Sequence, residues 1–185
     1  MVRKEVLLKY LREQMTKCKE THCYQAAIFY ADKIVTLCKD TVMTPDYVTS
    51  LYELAQCYFC NKEYLRVVQL LDKSGLSFFN ERFRVLLGQA FFFAGNYDEC
   101  ISVLETNLME ETTNPAAEKC FIDSKEESYF QSLKHLVLGK AYEAQENKTF
   151  AVQNLKQALT TNCENVEAFE RLISNYLLPH EESKN

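Results

Sequence analysis

Along this chain small apolar, large apolar and polar residues recur at offsets that suit paired helices rather than strands. In Leu138-Gly139-Lys140-Ala141-Tyr142, followed by Ala151, Leu155 and Ala158, Gly139 and Ala151 are small enough for the two helices of a hairpin to approach closely. Tyr142 and Leu155 are large and fill the space between hairpins, while Ala158 admits the next helix. The same grid fits upstream. Leu87-Gly88-Gln89-Ala90-Phe91 is followed by a turn at Gly95-Asn96-Tyr97 and by Cys100 as the small residue. Before it, Leu54-Ala55-Gln56-Cys57-Tyr58 leads to a turn at Asn61-Lys62-Glu63-Tyr64. A first hairpin is predicted as a helix from about Arg3 to Lys19, a turn at Glu20-Thr21-His22-Cys23, and a helix from Tyr24 to Cys38. The pattern therefore predicts hairpins over about 3–38, 48–74, 81–107 and 132–160.

These residue types at these offsets resemble the tetratricopeptide repeat (TPR), a helical hairpin recurring about every 34 residues. Departures are local. Met15 and Cys18 stand where the repeat usually has Gly and Tyr, His135 where it prefers Trp, and Cys163 in place of its terminal Pro. The resemblance implies an all-α fold, an α-α superhelix of about four hairpins plus a partial fifth, in one domain covering 1–185. From Glu81 to Ser132 the spacing exceeds one repeat by ~17 residues. The excess is placed at about 109–127, which holds Asn114-Pro115 and much charge and reads as a surface loop. Val166 to Leu178 reads as the first helix of a fifth repeat, stopped at Pro179-His180. An array normally ends in a helix with a polar outer face. This one keeps Phe169, Leu172, Ile173, Tyr176 and Leu177, so the chain is expected to be the front portion of a longer array.

Composition narrows the function. Three Pro and four Gly are too few for a turn-rich β-sandwich or for glycine-rich α/β loops. A net charge of −5 argues against a nucleic-acid backbone or an anionic membrane as partner. No apolar run reaches the roughly 18 residues that span a bilayer, and the charged start Met1-Val2-Arg3-Lys4-Glu5 is not a secretory signal. The eight Cys do not follow a disulfide framework; Cys57, Cys60 and Cys100 fall where a helix needs a small apolar residue. They read as reduced core thiols of a nuclear or cytoplasmic protein.

Candidate chemistry is sparse. Cys57-Tyr58-Phe59-Cys60 is a lone CxxC inside a predicted helix, while His22, His135 and His180 are scattered, so neither a zinc site nor a thioredoxin-like dithiol is expected. Asn147-Lys148-Thr149 fits a glycosylation sequon but reads as an interhelix turn. Glu110, Glu111, Glu126 and Glu127 read as a solvated loop rather than a buried acid–base pair. There is no phosphate-binding glycine loop, nucleophile elbow or His-supported Ser. The chain is expected not to be an enzyme and to use no cofactor, metal or small-molecule substrate.

Functional content is expected instead on the helix faces that line the groove of such an array. In the second repeat these are Thr49, Tyr52, Gln56, Phe59 and Cys60; in the third, Arg82, Val85, Gln89, Phe92 and Phe93; in the fourth, Leu133, Leu136, Lys140, Glu143 and Ala144. An apolar, aromatic strip with polar residues at intervals marks a protein interface. Co-chaperone repeats clamp a C-terminal carboxylate with Lys, Asn and Arg. Here those positions hold Arg12, Thr16, Glu53, Arg82 and Leu86, which disfavours that role.

Tyr24-Gln25-Ala26-Ala27-Ile28-Phe29-Tyr30-Ala31-Asp32-Lys33 goes beyond the generic repeat. With Leu54-Ala55-Gln56-Cys57-Tyr58, and with Gly139-Lys140-Ala141-Tyr142 through Asn147-Lys148-Thr149 to Glu167-Ala168-Phe169, it resembles the N-terminal repeats of the TPR subunits of the anaphase-promoting complex (cyclosome), a ubiquitin ligase controlling mitotic progression. The likeness is to the subunit type called cell-division-cycle sixteen, or Cut-nine. The resemblance implies a non-catalytic scaffold of the nucleus and cytoplasm whose N-terminal repeats interlock as a homodimer and assemble with other subunits. By that analogy the first helix lies in the partner's groove, with Leu7, Leu8, Leu11 and Met15 against Tyr52, Phe59, Phe92 and Phe93. Gln56, Arg82, Gln89, Leu133 and Lys140 complete the expected interface. The alternative from the same residues is a TPR adaptor outside that complex, capturing a helix or extended peptide in its groove.

Overall fold

The computed structural model describes residues 2–39, 44–78, 80–106 and 124–175. Among them the regular structure is helical throughout, without a strand. In chain order the α-helices are α1 (Val2–Glu20), α2 (Tyr24–Cys38), α3 (Pro45–Cys60), α4 (Tyr64–Ser74), α5 (Glu81–Phe93), α6 (Tyr97–Glu105), α7 (Ser124–Ala144), α8 (Lys148–Thr161) and α9 (Val166–Ser174). A short 3₁₀ turn covers Leu76–Phe78. The all-α, TPR-like hairpin architecture is the one the periodicity predicts. α7 begins at Ser124, so Glu126 and Glu127 lie in its first turn rather than in a loop. Of the expected insertion, 109–123 lies outside the described residues, as do Tyr176, Leu177 and Leu178.

Two compact units divide these helices, α1–α4 in one and α5–α9 in the other. Within the first, Leu11 and Met15 of α1, Ala27, Ala31 and Ile34 of α2, and Leu51, Leu54 and Ala55 of α3 form the buried interior. Among the described residues of the second, apolar clusters form at two places. Cys100 and Leu104 of α6 meet Val137, Leu138, Ala141 and Tyr142 of α7 and Ala151 of α8. Leu136, Leu155 and Ala158 meet Ala168 and Leu172 of α9. Gly88 and Gly139 show why the small positions are small. A Cβ on Gly88 would stand 2.6 Å from Leu104, and one on Gly139 would stand 2.8 Å from Leu155.

All four hairpins turn in the same way. The third residue past each first helix returns a backbone N–H five residues back: Cys23 to Cys18 (2.8 Å), Glu63 to Tyr58 (2.9 Å), Asn96 to Phe91 (2.9 Å) and Asn147 to Tyr142 (2.9 Å). The residue just before it donates three back, as in Lys62 to Phe59 (2.9 Å) and Glu146 to Glu143 (3.0 Å). This is the Schellman pattern, which satisfies the last helical carbonyls and needs one left-handed residue. Gly95 supplies it at φ 83°, but His22, Lys62 and Glu146 occupy the same region at 56°, 62° and 59°. Helix starts are capped from the sequence as well. Thr44, Asn80, Asn147 and Asn165 each accept a backbone N–H of the first turn.

Candidate protein-interaction surfaces

In the first unit, α1 carries the exposed apolar residues Val6 (63%), Leu7 (45%) and Tyr10 (53%) on a face turned from the hairpin core. Leu8 is half-buried and, with Lys9, Arg12, Glu13 and Thr16, lines an open groove of about 710 Å³ that reaches Asp46 at the start of α3. Arg12 Nη2 meets Asp46 Oδ1 at 3.4 Å across it. Deeper on α3, burial pushes the Glu53 carboxyl up, against the pull of Lys19 and Arg12. Leu11 (8% exposed) and Met15 (2%) belong to the hairpin interior. The i, i+4 step that aligns them with Leu7 along the helix also rotates them toward α2. Tyr52 is buried as well, while Gln56 and Phe59 are half-buried. Phe59 packs edge-on against Tyr64, 5.4 Å between ring centroids.

The second unit brings Phe92, Phe93 and Lys140 together. Lys140 Nζ lies 5.2 Å from the Phe92 ring centre and 5.6 Å from that of Phe93. It also makes a 2.8 Å ion pair with Glu167 of α9. Arg171 spans Glu167 (3.2 Å) and Glu143 of α7 (2.7 Å), and Asn175 donates to the other Glu143 oxygen at 2.6 Å. Burial would raise the Glu167 carboxyl, but bonds and charge from Lys140 and Arg171 hold it below the usual value. Half-buried Arg82 lies over the Phe130 ring at 5.4 Å, while Gln89 and Leu133 are also half-buried. Leu133 packs against both apolar clusters. Phe93 remains 48% exposed, whereas Val85 and Leu136 are core.

Three polar arrangements escaped the sequence reading. Glu81 and Arg84, both nearly fully buried, form an ion pair one turn apart on α5, and Arg84 also donates to the Thr106 carbonyl at the end of α6. Lys134 of α7 approaches Glu81 at 3.8 Å; burial lowers its amine, partly offset by Glu81. Ser132, 1% exposed, donates to the Ala158 carbonyl at 2.9 Å and accepts from Asn165 at 2.9 Å. In the first unit Arg66 stacks over Tyr58 at 4.3 Å and pairs with Glu63 at 2.6 Å. The i, i+3 spacings of Glu81 with Arg84 and of Glu63 with Arg66 were the visible signals.

Cys57 and Cys100 are core thiols as expected, whereas Cys60, at the end of α3, is exposed. Burial pushes Cys57 up to about 11 and Cys100 up to about 12, so neither is a thiolate near neutral pH. Among the described residues no group of three or more His, Cys, Asp or Glu is placed to hold a metal ion. Among them, too, no helix is long and apolar enough to cross a membrane.

Comparison with known proteins agrees with this repeat grammar. The family described as anaphase-promoting complex, cyclosome, subunit 3 matches residues 20–107. The human cell division cycle protein 16 homolog is 29% identical over 96% of this chain and 29% of its own length. The anaphase-promoting complex subunit CDC16 of Saccharomyces cerevisiae is 30% identical over 87% of this chain and 20% of its own. Cut9, in the crystal structure of the APC/C hetero-tetramer Cut9-Hcn1, superposes with a TM-score of 0.74 at 24% identity, over 95% of this chain and 30% of that one. The chain thus spans under a third of the length of these relatives. Paired helices and the small-residue grid thus go with similarity, across nearly the whole chain, to the CDC16 subunits of the anaphase-promoting complex.

Proposed function

We propose that this chain is a non-catalytic scaffold segment of an anaphase-promoting complex in the nucleus and cytoplasm, where it forms a homodimer and helps to assemble other subunits. The observation that carries the reading is α1. Its Val6, Leu7 and Tyr10 stay 45–63% exposed while Leu11 and Met15 complete its own hairpin. A helix that fills its core on one side and keeps an apolar strip on the other favours a protein partner. Cut9 occurs in a four-chain assembly of two named components, and such an assembly repeats at least one of them. Leu7 and Leu8 are the α1 residues offered to a second copy, and the helix faces carrying Gln56, Phe59, Arg82, Gln89, Phe92, Phe93, Leu133 and Lys140 are offered to other chains. Light scattering at micromolar concentration should give the mass of two chains, and a tagged chain should co-purify with other cyclosome subunits. A one-chain mass would remove the homodimer.

A second reading is an adaptor outside that complex that holds a helix or peptide. Half-exposed Phe93 beside Lys140 favours it. Recovery of a bound protein with no cyclosome subunit would select it.

A further inference from the structure

We propose that the outer flank of α9 seats a helix from another chain, and that this helix must present a small residue where the second helices of the preceding hairpins present a leucine. Val166, Phe169 and Ile173 follow one another at i+3 and i+4 steps and so share one face of α9. They are 63%, 51% and 47% exposed. The other sides of α9 are engaged. Ala168 and Leu172 pack on Leu155 and Ala158, while Glu167 and Arg171 are tied to α7. On α3 the counterparts of the exposed strip, Val48, Leu51 and Ala55, are all buried. Scattered apolar residues are ordinary on a surface, but a contiguous strip on a face that the fold buries elsewhere is an unfilled helix seat. Among the described helices α9 alone lacks a hairpin mate, so a second copy has no spare helix of this kind to offer.

Ile173 sets the shape of the seat. It follows buried Leu172 as Ala55, Gly88 and Gly139 follow buried Leu54, Leu87 and Leu138. Sixteen residues beyond each of those small residues stands a buried leucine of the paired helix: Leu71, Leu104 and Leu155. Against Gly88 and Gly139 that leucine lies closer than a Cβ would allow. A helix docked in the same way has no room for the branched side chain of Ile173. The first hairpin shows an arrangement that does. It buries Met15 in that place, and α2 answers with Ala31 at the same separation and Ala27 one turn earlier, both buried. The bulk has moved from the second helix to the first. Ile173 belongs with Met15, so the incoming helix resembles α2, with two small residues four apart on its apolar face. Glu170, exposed at the edge of the strip, favours Lys or Arg on its flank.

Two peptides test the rule. One is the α8 sequence Lys148–Thr161, stapled on its polar face to keep it helical; the other is the same peptide carrying Leu155→Ala, small at both contact positions. Each is titrated against the full chain and against its Ile173→Ala variant, with hydrogen exchange reporting where it binds. The small-residue peptide should protect Val166–Ser174 and bind the wild-type chain about tenfold more tightly than the leucine peptide. Ile173→Ala recreates the Ala55–Leu71 pairing and should abolish or reverse that preference. Equal affinity of the two peptides for wild type, protection confined to other helices, or no binding by either overturns the proposal. Protection of α9 that rises with the concentration of the chain alone also overturns it, because a second copy would then be the occupant. The proposal rests on the assembly reading above only in drawing the helix from another subunit. Loss of cyclosome co-purification would remove that reading and leave the peptide preference intact.

Discussion

The backbone of Gly88 comes so close to Leu104 that a Cβ there would lie 2.6–2.9 Å from three of its side-chain carbons. Leu104 is fully buried. α5 and α6 therefore touch through a missing side chain, as α7 and α8 do through Gly139 and Leu155. Gly88→Ala gains helix propensity of about 1 kcal/mol but overpacks a site that costs typically about 1–3 kcal/mol to crowd. Urea unfolding should show a net loss, and pairing the change with Leu104→Ala should remove the overlap and give a cost well below the sum of the two singles.

The left-handed turn residues predict a gain. Glu146 is an exposed carboxylate residue at φ 59°, a region that strains any residue with a Cβ. Glu146→Gly should raise stability by about 0.5–1 kcal/mol, the relief of strain exceeding the entropy that glycine adds to the unfolded chain. Gly95→Ala at φ 83° should lower stability. Thermal melts of the two variants should move in opposite directions.

Alkali offers a test of the second unit. The Tyr142 hydroxyl is pushed up to about 12 by burial and by the bond it donates to Glu105, against about 10 in an unfolded chain. Between those values the unfolded state has lost this proton and the folded state keeps it, so unfolding binds fewer protons there. Stability from this group is full below pH ~10 and falls as pH rises toward ~12. Tyr142→Phe should flatten that part of the pH–stability curve, at the expense of a lost hydrogen bond at neutral pH. An equally steep fall in both proteins would refute the assignment.

α9 is held through a short list of contacts that can be cut. Lys140 and Arg171 tie it to α7 through Glu167 and Glu143, while Ala168 and Leu172 supply its buried face. Lys140→Met keeps the stem over Phe92 but removes the ion pair. Since Glu167 is 47% exposed, the global cost should stay below about 1 kcal/mol. Hydrogen exchange should nonetheless quicken in Val166–Ser174 relative to α8. Unchanged protection in α9 would show that its apolar face alone secures it.

What the sequence made legible was whatever obeys a period. Gly88, Gly139, Ala151, Leu155 and Ala158 were readable because each occupies a repeating steric role, and each is found in contact or at a close approach. The turn positions were readable too, although three of the four left-handed residues are not glycine, because the bonds that set the turn are made by backbone and leave no mark on side-chain identity. Aperiodic features were hidden. Nothing local announces that Ser132 reaches Ala158 and Asn165, or that Lys134 nears Glu81, since those pairs depend on where α7 lands. α1 shows the same limit. Leu7, Leu8, Leu11 and Met15 are alike in hydrophobicity, and only the packing of α2 separates exposed Leu7 and half-buried Leu8 from the core pair.

The Ser132 hydroxyl has a bearing on how such a chain can be taken apart. It is joined on one side to the last turns of α8 and on the other to Asn165, whose own oxygen accepts the Ala168 N–H at 3.1 Å and so starts α9. A cut drawn after α8, at the visual edge of the hairpin, would leave that hydroxyl without one of its two neighbours and strip Ala168 and Leu172 from the Leu155 cluster. The natural seam lies beyond the opening turns of α9, so the unit of dissection here is a hairpin together with the beginning of its successor.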